Sequence, residues 1–409
     1  MAVGEDRLDS SMQGVHQVAG VRLAAVESNI RYSNRLDLVL IEIAENSSIA
    51  GVFTQNAFCA APVIICKEHL IENNARYLLI NTGNANAGTG KAGHAAALKC
   101  CEAVAELTQL QSQQVLPFST GVIGEELPFN KIISALPESL AGLSQSNWPD
   151  AAQGILTTDT RAKISSVQLE LNGKTVNITG IAKGSGMIKP NMATMLAFVF
   201  TDAEIEQELL SAYLSEVVEQ SFNRITVDGD TSTNDSCMLI ATGQSSVKIA
   251  AGDLDRTTEF RNALQSVFME LATGLIRDAE GATKFITLKV NHGASIEECL
   301  AVAYTVAESP LVKTAFFASD PNWGRILAAI GRAGINDLNI DNITLCLGET
   351  PLVSNGALDK DYQEALGQAE MDKDEITVEI NLARGEFEAT VFTSDLSHDY
   401  VRINAEYRS

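Results

Sequence analysis

The chain has 409 residues, with 29 lysines and arginines against 52 aspartates and glutamates, a formal charge of −23. That length allows two or three domain-sized units or one large intertwined one, and 45% apolar with 20% charged residues excludes a disordered chain. So acidic a chain repels phosphate backbones: no nucleic-acid partner is expected, and any bound anion must be held by a few local cations.

The seven cysteines show no CxxC spacing and no Cys/His cluster, which reads as reduced thiols rather than a zinc site. The polar, acidic opening MAVGEDRLDSS does not read as a signal peptide, and none is expected. The longest apolar run, Met192–Phe200, is nine residues, far short of the ~20 needed to span a bilayer. A cytoplasmic protein with no membrane partner is expected.

Strand-like runs come first: Asp37–Ala44, Pro62–Cys66 and Tyr77–Asn81. A helix is predicted from Ala92 to about Leu107, then a strand, Val115–Ser119, ending in the turn Thr120-Gly121-Val122-Ile123-Gly124. Ser165–Leu171 alternates as a half-exposed strand does, and Asn172-Gly173 closes it as a hairpin turn. Thr201-Asp202-Ala203-Glu204 reads as a capping box before a helical face of Ile205, Leu209, Tyr213 and Val217. Phe260, Leu264, Phe268, Leu271 and Leu275 mark a longer helix that stops near Glu280-Gly281. Strands return at Lys284–Val290, Ile343–Leu347, Glu375–Ile380 and Phe387–Phe392. Strands and helices mix without strict βαβ alternation, which predicts a layered α/β (α+β) sandwich.

Several familiar motifs fail. Lys183-Gly184-Ser185-Gly186-Met187-Ile188-Lys189 begins like GxGxxG but ends in lysine, and no helical pattern follows. Gly83–Gly90 is glycine-rich but ends in Lys91-Ala92, not the Gly-Lys-Ser/Thr of a P-loop. No HExxH, GxSxG or EF-hand loop occurs, and the five histidines are scattered.

The unusual stretch is Lys183–Asp202, KGSGMIKPNMATMLAFVFTD. A threonine in such an apolar run is ordinarily only a strand residue. Here small Ala193 precedes Thr194 at a turn–strand junction. A hydroxyl so placed can attack the Ala193 carbonyl in an N→O acyl shift, and hydrolysis of the ester frees Thr194 as a new N-terminus. Its α-amine, with a reference pKa of ~7.7–8.0, then serves as general base for its own hydroxyl.

This stretch resembles the self-cleaving centre of the ornithine acetyltransferase family, the ArgJ-type bifunctional glutamate N-acetyltransferases of arginine biosynthesis. The similarity rests also on Asn81–Ala87, Ser119–Gly124, Ile155–Thr160, Val227–Asp235, Asp320–Arg325 and Tyr400–Ser409, in family order from about residue 20 to 409. The resemblance implies cleavage between Ala193 and Thr194 into chains 1–193 and 194–409. It implies Thr194 as the acyl-accepting nucleophile, and the Thr120 hydroxyl with the Gly121 N–H as an oxyanion hole. It implies Thr157, Lys183, Thr194, Glu280, Asn404 and Ser409 as substrate-binding residues. Lys183 suits an α-carboxylate, and Glu280, expected at a helix C-terminus, suits a cationic group.

The implied reaction moves acetyl from N2-acetyl-L-ornithine to L-glutamate, with no cofactor or metal and with acetyl-CoA as a candidate co-substrate. The implied architecture is an ArgJ/DmpA-like sandwich of β-sheets flanked by helices, assembled as a heterotetramer. Asp228, Asp230, Asp235 and Asp320 are expected to have structural turn and hydrogen-bonding roles. Two other readings stay open: a self-processing aminopeptidase or amidase with the same nucleophile, and a non-catalytic binding protein in which Thr194 is a strand residue.

Overall fold

A computed structural model describes residues 14–71, 74–189 and 195–407. Its core is a pair of stacked sheets. The first is four-stranded, Val21–Val26, Leu38–Ile43, Tyr77–Asn84 and Val115–Val122 in that spatial order, its last two strands parallel. The second is five-stranded, in the order Ser48–Phe53, Ser236–Ala241, Leu196–Thr201, Lys174–Lys183, Lys163–Leu171.

Alternation along the strands builds the layers. Val39 and Ile41 of LVLIEI point inward, beside Phe198, Phe200, Met238 and Ile240 of the facing sheet. Leu38 and Leu40 point outward onto helices Gly90–Thr108 and Phe129–Ala141. On the other side Val199, Cys237 and Leu239 pack against helices Gln207–Gln220 and Leu254–Arg277. Both faces of each sheet are covered, which is why these strands read as nearly continuous apolar runs. Phe118 and Phe198 meet edge-to-face across the sheets, with ring centroids 4.9 Å apart. The expected layered sandwich with helices outside is what the chain forms.

A third sheet of seven strands includes Phe285–Gly293, Glu375–Asn381 and Phe387–Ser394 and carries its own apolar cluster with helices Ile296–Ala307, Pro310–Phe317 and Trp323–Gly331. Among the described residues no helix is long and apolar enough to cross a membrane.

Three local expectations need correction. Pro62–Cys66 is not a strand; it lies in helix Ala61–Leu70. Proline opens that helix, where its missing N–H costs nothing. Ile64, Lys67 and Glu68 face solvent while Val63, Cys66 and His69 are buried, a helical spacing that a five-residue apolar run conceals. Thr201–Glu204 is not a capping box. Glu204–Ile205 is a short strand paired with Lys248–Ile249, and the helix begins at Gln207. The Asp202 carboxylate instead accepts the backbone and side-chain N–H groups of Asn177 across the sheet. Glu280 is not in a last helical turn either, because the preceding helix ends at Arg277.

The Asn172-Gly173 hairpin turn forms as read, with φ of 54° and 73° at its two central residues. Replacing Phe198 by alanine would open a cavity between the two sheets. The expected loss is about 3–5 kcal/mol of stability, read from denaturant unfolding, with the cleft described below still formed.

Candidate functional site

The cleft lies at one end of the sandwich, where the Thr120-Gly121 end of the first sheet meets the Lys183 and Leu196 ends of the second. It encloses about 250 Å³, and its walls include Thr120, Gly121, Thr157, Lys183, Glu280 and Asn404. These six come from five separate parts of the chain and were expected to act together. Ala193, Thr194 and Ser409, also expected there, lie outside the described residues. The described chain resumes at Met195, which itself lines the cleft.

The Thr120-Gly121 corner is built by asparagines. Asn81 accepts the Ser119 hydroxyl at 2.5 Å and donates to the Asn84 carbonyl at 2.9 Å. Asn234 donates to the carbonyls of Ala85 and Ser119, tying the segment before strand Ser236–Ala241 to this corner. Gly121 has φ of 133°, and a Cβ there would sit 2.3 Å from the Gly83 carbonyl carbon, so no other residue fits.

Lys183 is paired in register with Leu196 and is buried. Its ammonium donates to the Thr120 hydroxyl oxygen at 3.2 Å and has no ion pair among the described residues. Because that oxygen accepts from Lys183, its own hydrogen is available to donate into the cleft. Burial pushes the Lys183 ammonium below its ordinary range, against the pull of Asp159.

The Gly-Ser-Gly turn after Lys183 is a cradle for Glu280, not for phosphate. Ser185 accepts the Glu280 N–H at 2.9 Å, and a Cβ on Gly186 would lie 2.5 Å from the Glu280 carboxyl carbon. The two Glu280 oxygens accept from Thr158 and Asn404, each at 2.7 Å. Both donors are neutral, so the carboxylate sits in the cleft without a compensating cation among its described hydrogen-bond partners. Asn404 reaches it from the C-terminal helix, His398–Glu406.

Behind the cleft lies a group that sequence reasoning missed. Buried Lys163 bridges the carboxylates of Asp159 and Asp278. Asp159 also accepts the Thr157 N–H at 3.0 Å and the Gly184 N–H at 2.7 Å. Burial alone would raise the Asp159 carboxyl, but Lys163 and Lys183 beside it hold it well below the usual carboxylate range. Thr158 was missed as well: Thr157 was singled out, yet Thr158 is the residue that touches Glu280. Asp228 has the expected turn role, accepting the N–H groups of Met187 and Ile188. Asp320 accepts from Asn322 at the start of helix Trp323–Gly331, away from the cleft.

A profile of the ArgJ family matches residues 22–409. The chain belongs to that family. It is similar to the arginine biosynthesis bifunctional protein ArgJ of Pseudomonas fluorescens, 52% identical over 410 residues and 100% of both chains. The protein of the same name from Methylococcus capsulatus is 54% identical over 392 residues, 96% of each chain. The crystal structure of ArgJ from Bacillus halodurans shares 37% identity, covering 50% of this chain and 96% of that one, with a TM-score of 0.48.

Asp159→Asn should remove about 3–5 kcal/mol at pH 7, because it leaves two buried lysines short of a counter-charge. A depressed folded-state value means that the stabilisation is complete above the unfolded value of about 4 and is lost as pH falls below it. Thermal unfolding followed from pH 7 to pH 2 should therefore show the variant and the wild type converging in acid.

Proposed function

We propose that the cleft is the acyl-transfer site of a self-cleaving enzyme that moves acetyl from N2-acetyl-L-ornithine to L-glutamate, a step of arginine biosynthesis. The observation that supports it is the meeting of Thr120, Gly121, Thr157, Lys183, Glu280 and Asn404 on one cleft bordered by Met195, the residue after the proposed nucleophile. Thr194 Oγ attacks the acetyl carbonyl of acetylornithine. The amide C–N bond breaks, an ester to Thr194 forms, and ornithine leaves with a proton returned by the Thr194 α-amine. Glutamate then attacks the ester and departs as N-acetyl-L-glutamate. The Thr120 hydroxyl and the Gly121 N–H stabilise the tetrahedral oxyanion, and the Lys183 contact polarises that hydroxyl.

Lys183 attracts the α-carboxylate common to both substrates, and Glu280 takes the cationic group, with Thr157, Asn404 and Ser409 completing the pocket. The acyl group rides on a side chain, so the proposal needs no cofactor or metal. Acetyl-CoA is proposed as a second donor, a co-substrate only. We place the enzyme in the cytoplasm, in keeping with its seven free thiols.

Cleavage between Ala193 and Thr194 would give chains of 193 and 216 residues that remain interleaved. Strands Ser48–Phe53 and Lys174–Lys183 precede the cut, and their partners Ser236–Ala241 and Leu196–Thr201 follow it. Two such pairs would make the heterotetramer.

Denaturing electrophoresis should show bands of about 21 and 23 kDa, the 43.7 kDa mass shared by length. The larger should begin Thr-Met-Leu-Ala, and Thr194→Ala should stay whole and inactive. An intact wild-type chain that still transfers acetyl would sink the mechanism.

Lys183→Met should lower kcat/KM for acetylornithine and for glutamate by ~30-fold or more, whereas Glu280→Gln should weaken the cationic substrate end more. Since the Lys183 ammonium is held below its ordinary range, wild-type kcat/KM should fall as pH rises through that lowered value. Lys183→Met should lack this limb. Unchanged constants in both fully cleaved variants would make the two residues structural.

A further inference from the structure

Asp235 takes no part in the mechanism above, yet it lines the same cleft. It is 3% exposed, and its Oδ2 has no hydrogen-bond partner among the described residues. Buried carboxyl oxygens are almost always satisfied, so an unsatisfied one facing a cavity marks a place where a ligand atom belongs. Its position is fixed. The Asp235 carbonyl accepts the Thr54 N–H at 3.0 Å, and the next residue, Ser236, donates to the Met195 carbonyl at 2.9 Å. Strands Ser236–Ala241 and Leu196–Thr201 run parallel in register from there. Asp235 therefore stands beside Met195, on the same side of the cleft as Lys183, whose partner in the sheet is Leu196.

We propose that Asp235 is a further substrate-contacting residue, its Oδ2 hydroxyl donating a hydrogen bond to the carboxylate that Lys183 attracts. The proposal deepens the acetyltransferase reading and rests on it for the identity of the carboxylate. The charged and titratable groups facing Asp235 are Lys183 from the strand Lys174–Lys183, Glu280 from beyond the helix ending at Arg277, Cys59 ahead of helix Ala61–Leu70, and Tyr407 from the C-terminal segment. Burial drives the Asp235 carboxyl well above the usual range, against hydrogen bonds from Ser232 and the charge of Lys183, so the protonated form is favoured.

A neutral acid suits the site where an ionised one would not. An aspartate anion would repel the incoming carboxylate and neutralise Lys183, whereas the protonated group adds a second donor beside the ammonium. The division of labour in the cleft follows. Glu280, held by the neutral donors Thr158 and Asn404, faces the substrate's cation. Asp235, with no donor on Oδ2, stays neutral for its anion.

The test compares Asp235→Asn, which keeps a donor of nearly the same shape, with Asp235→Ala. Binding of L-glutamate and L-ornithine to the full chain is measured by calorimetry, and acetyl transfer is measured on the cleaved fraction. The expected result is a Kd and KM within about threefold of wild type for Asp235→Asn and a rise of ~10-fold or more in both for Asp235→Ala. At high pH, wild-type affinity should decline as Asp235 ionises, and Asp235→Asn should lack that part of the decline. Wild-type constants in Asp235→Ala overturn the proposal. So does a loss in Asp235→Asn as large as in Asp235→Ala, since an amide would then fail where a neutral acid works. Should the alanine variant not fold, the asparagine variant and its pH profile decide alone. Amino-acid binding without acetyl transfer in the wild type would sink the acetyltransferase reading and leave the Asp235 contact standing. Transfer with an unchanged Kd in Asp235→Ala would do the reverse.

Discussion

The buried bridge of Lys163 between Asp159 and Asp278 is the interaction on which the cleft depends. It joins three pieces of chain distant in sequence: the Thr157–Thr160 loop, the edge strand Lys163–Leu171 and the end of the long helix Leu254–Arg277. Through its hydrogen bond to the Gly184 N–H, Asp159 fixes a fourth, the turn after Lys183. Removing one member of such a buried group costs ~3–5 kcal/mol, because the remaining charges keep their desolvation penalty. The bridge thus sets where Thr158 and Ser185 stand, and these two in turn hold Glu280.

The same bridge bears on the electrostatics of the site. The chain carries a formal charge of −23, yet Lys183 is buried without an ion pair among the described residues. In water an acidic surface would be screened within ~10 Å. Inside, Asp159 and Asp235 act on Lys183 at short range, and they act differently. Asp159 is ionised because two lysines flank it, so it keeps Lys183 charged from behind. Asp235 faces the cleft, and there burial outweighs both the Ser232 hydrogen bonds and the Lys183 charge, raising its carboxyl well above the usual range. One buried cation is therefore supported on one face and left open on the other, which is the arrangement an anion-binding pocket requires.

The layers were legible in the sequence because long-range packing leaves a local trace there. A strand covered on both faces, such as LVLIEI or LAFVFT, must be apolar throughout, and the Asn-Gly hairpin turn needs residues that tolerate positive φ. PVIIC misled because five apolar residues satisfy either period, and only the exposure of Ile64 separates them. TDAE misled because a capping motif is defined by hydrogen bonds, and Asp202 spends its own on Asn177 in the neighbouring strand. Thr120, Gly121, Thr157, Lys183, Glu280 and Asn404 were named through family resemblance; spacing alone could not have joined residues up to 284 positions apart. Thr158 and Asp159 sat inside the same blocks unnoticed, and Asp235 was read only as a structural turn residue. Their roles arise from partners such as Glu280 and Gly184 that no local pattern reveals.

The topology also explains how the proposed cut between Ala193 and Thr194 would leave the cleft intact. In the five-stranded sheet, strands from before and after residue 194 interleave, so Leu196–Thr201 lies between Lys174–Lys183 and Ser236–Ala241. On the facing side Phe198 inserts against Phe118 of the first sheet, and Phe200 against Trp148 of the helix Trp148–Gly154. Separating the two halves would unzip central backbone pairs and expose apolar cores on both faces of the strand. A single peptide bond contributes nothing to either of those terms. Once the sandwich has formed, continuity of the chain near Thr194 is therefore dispensable for the fold. In the proposed cleaved form, the central strand that opens into the cleft would present a new terminal amine there, its described part held in register by Lys183 opposite Leu196 and by Ser236 bonded to Met195.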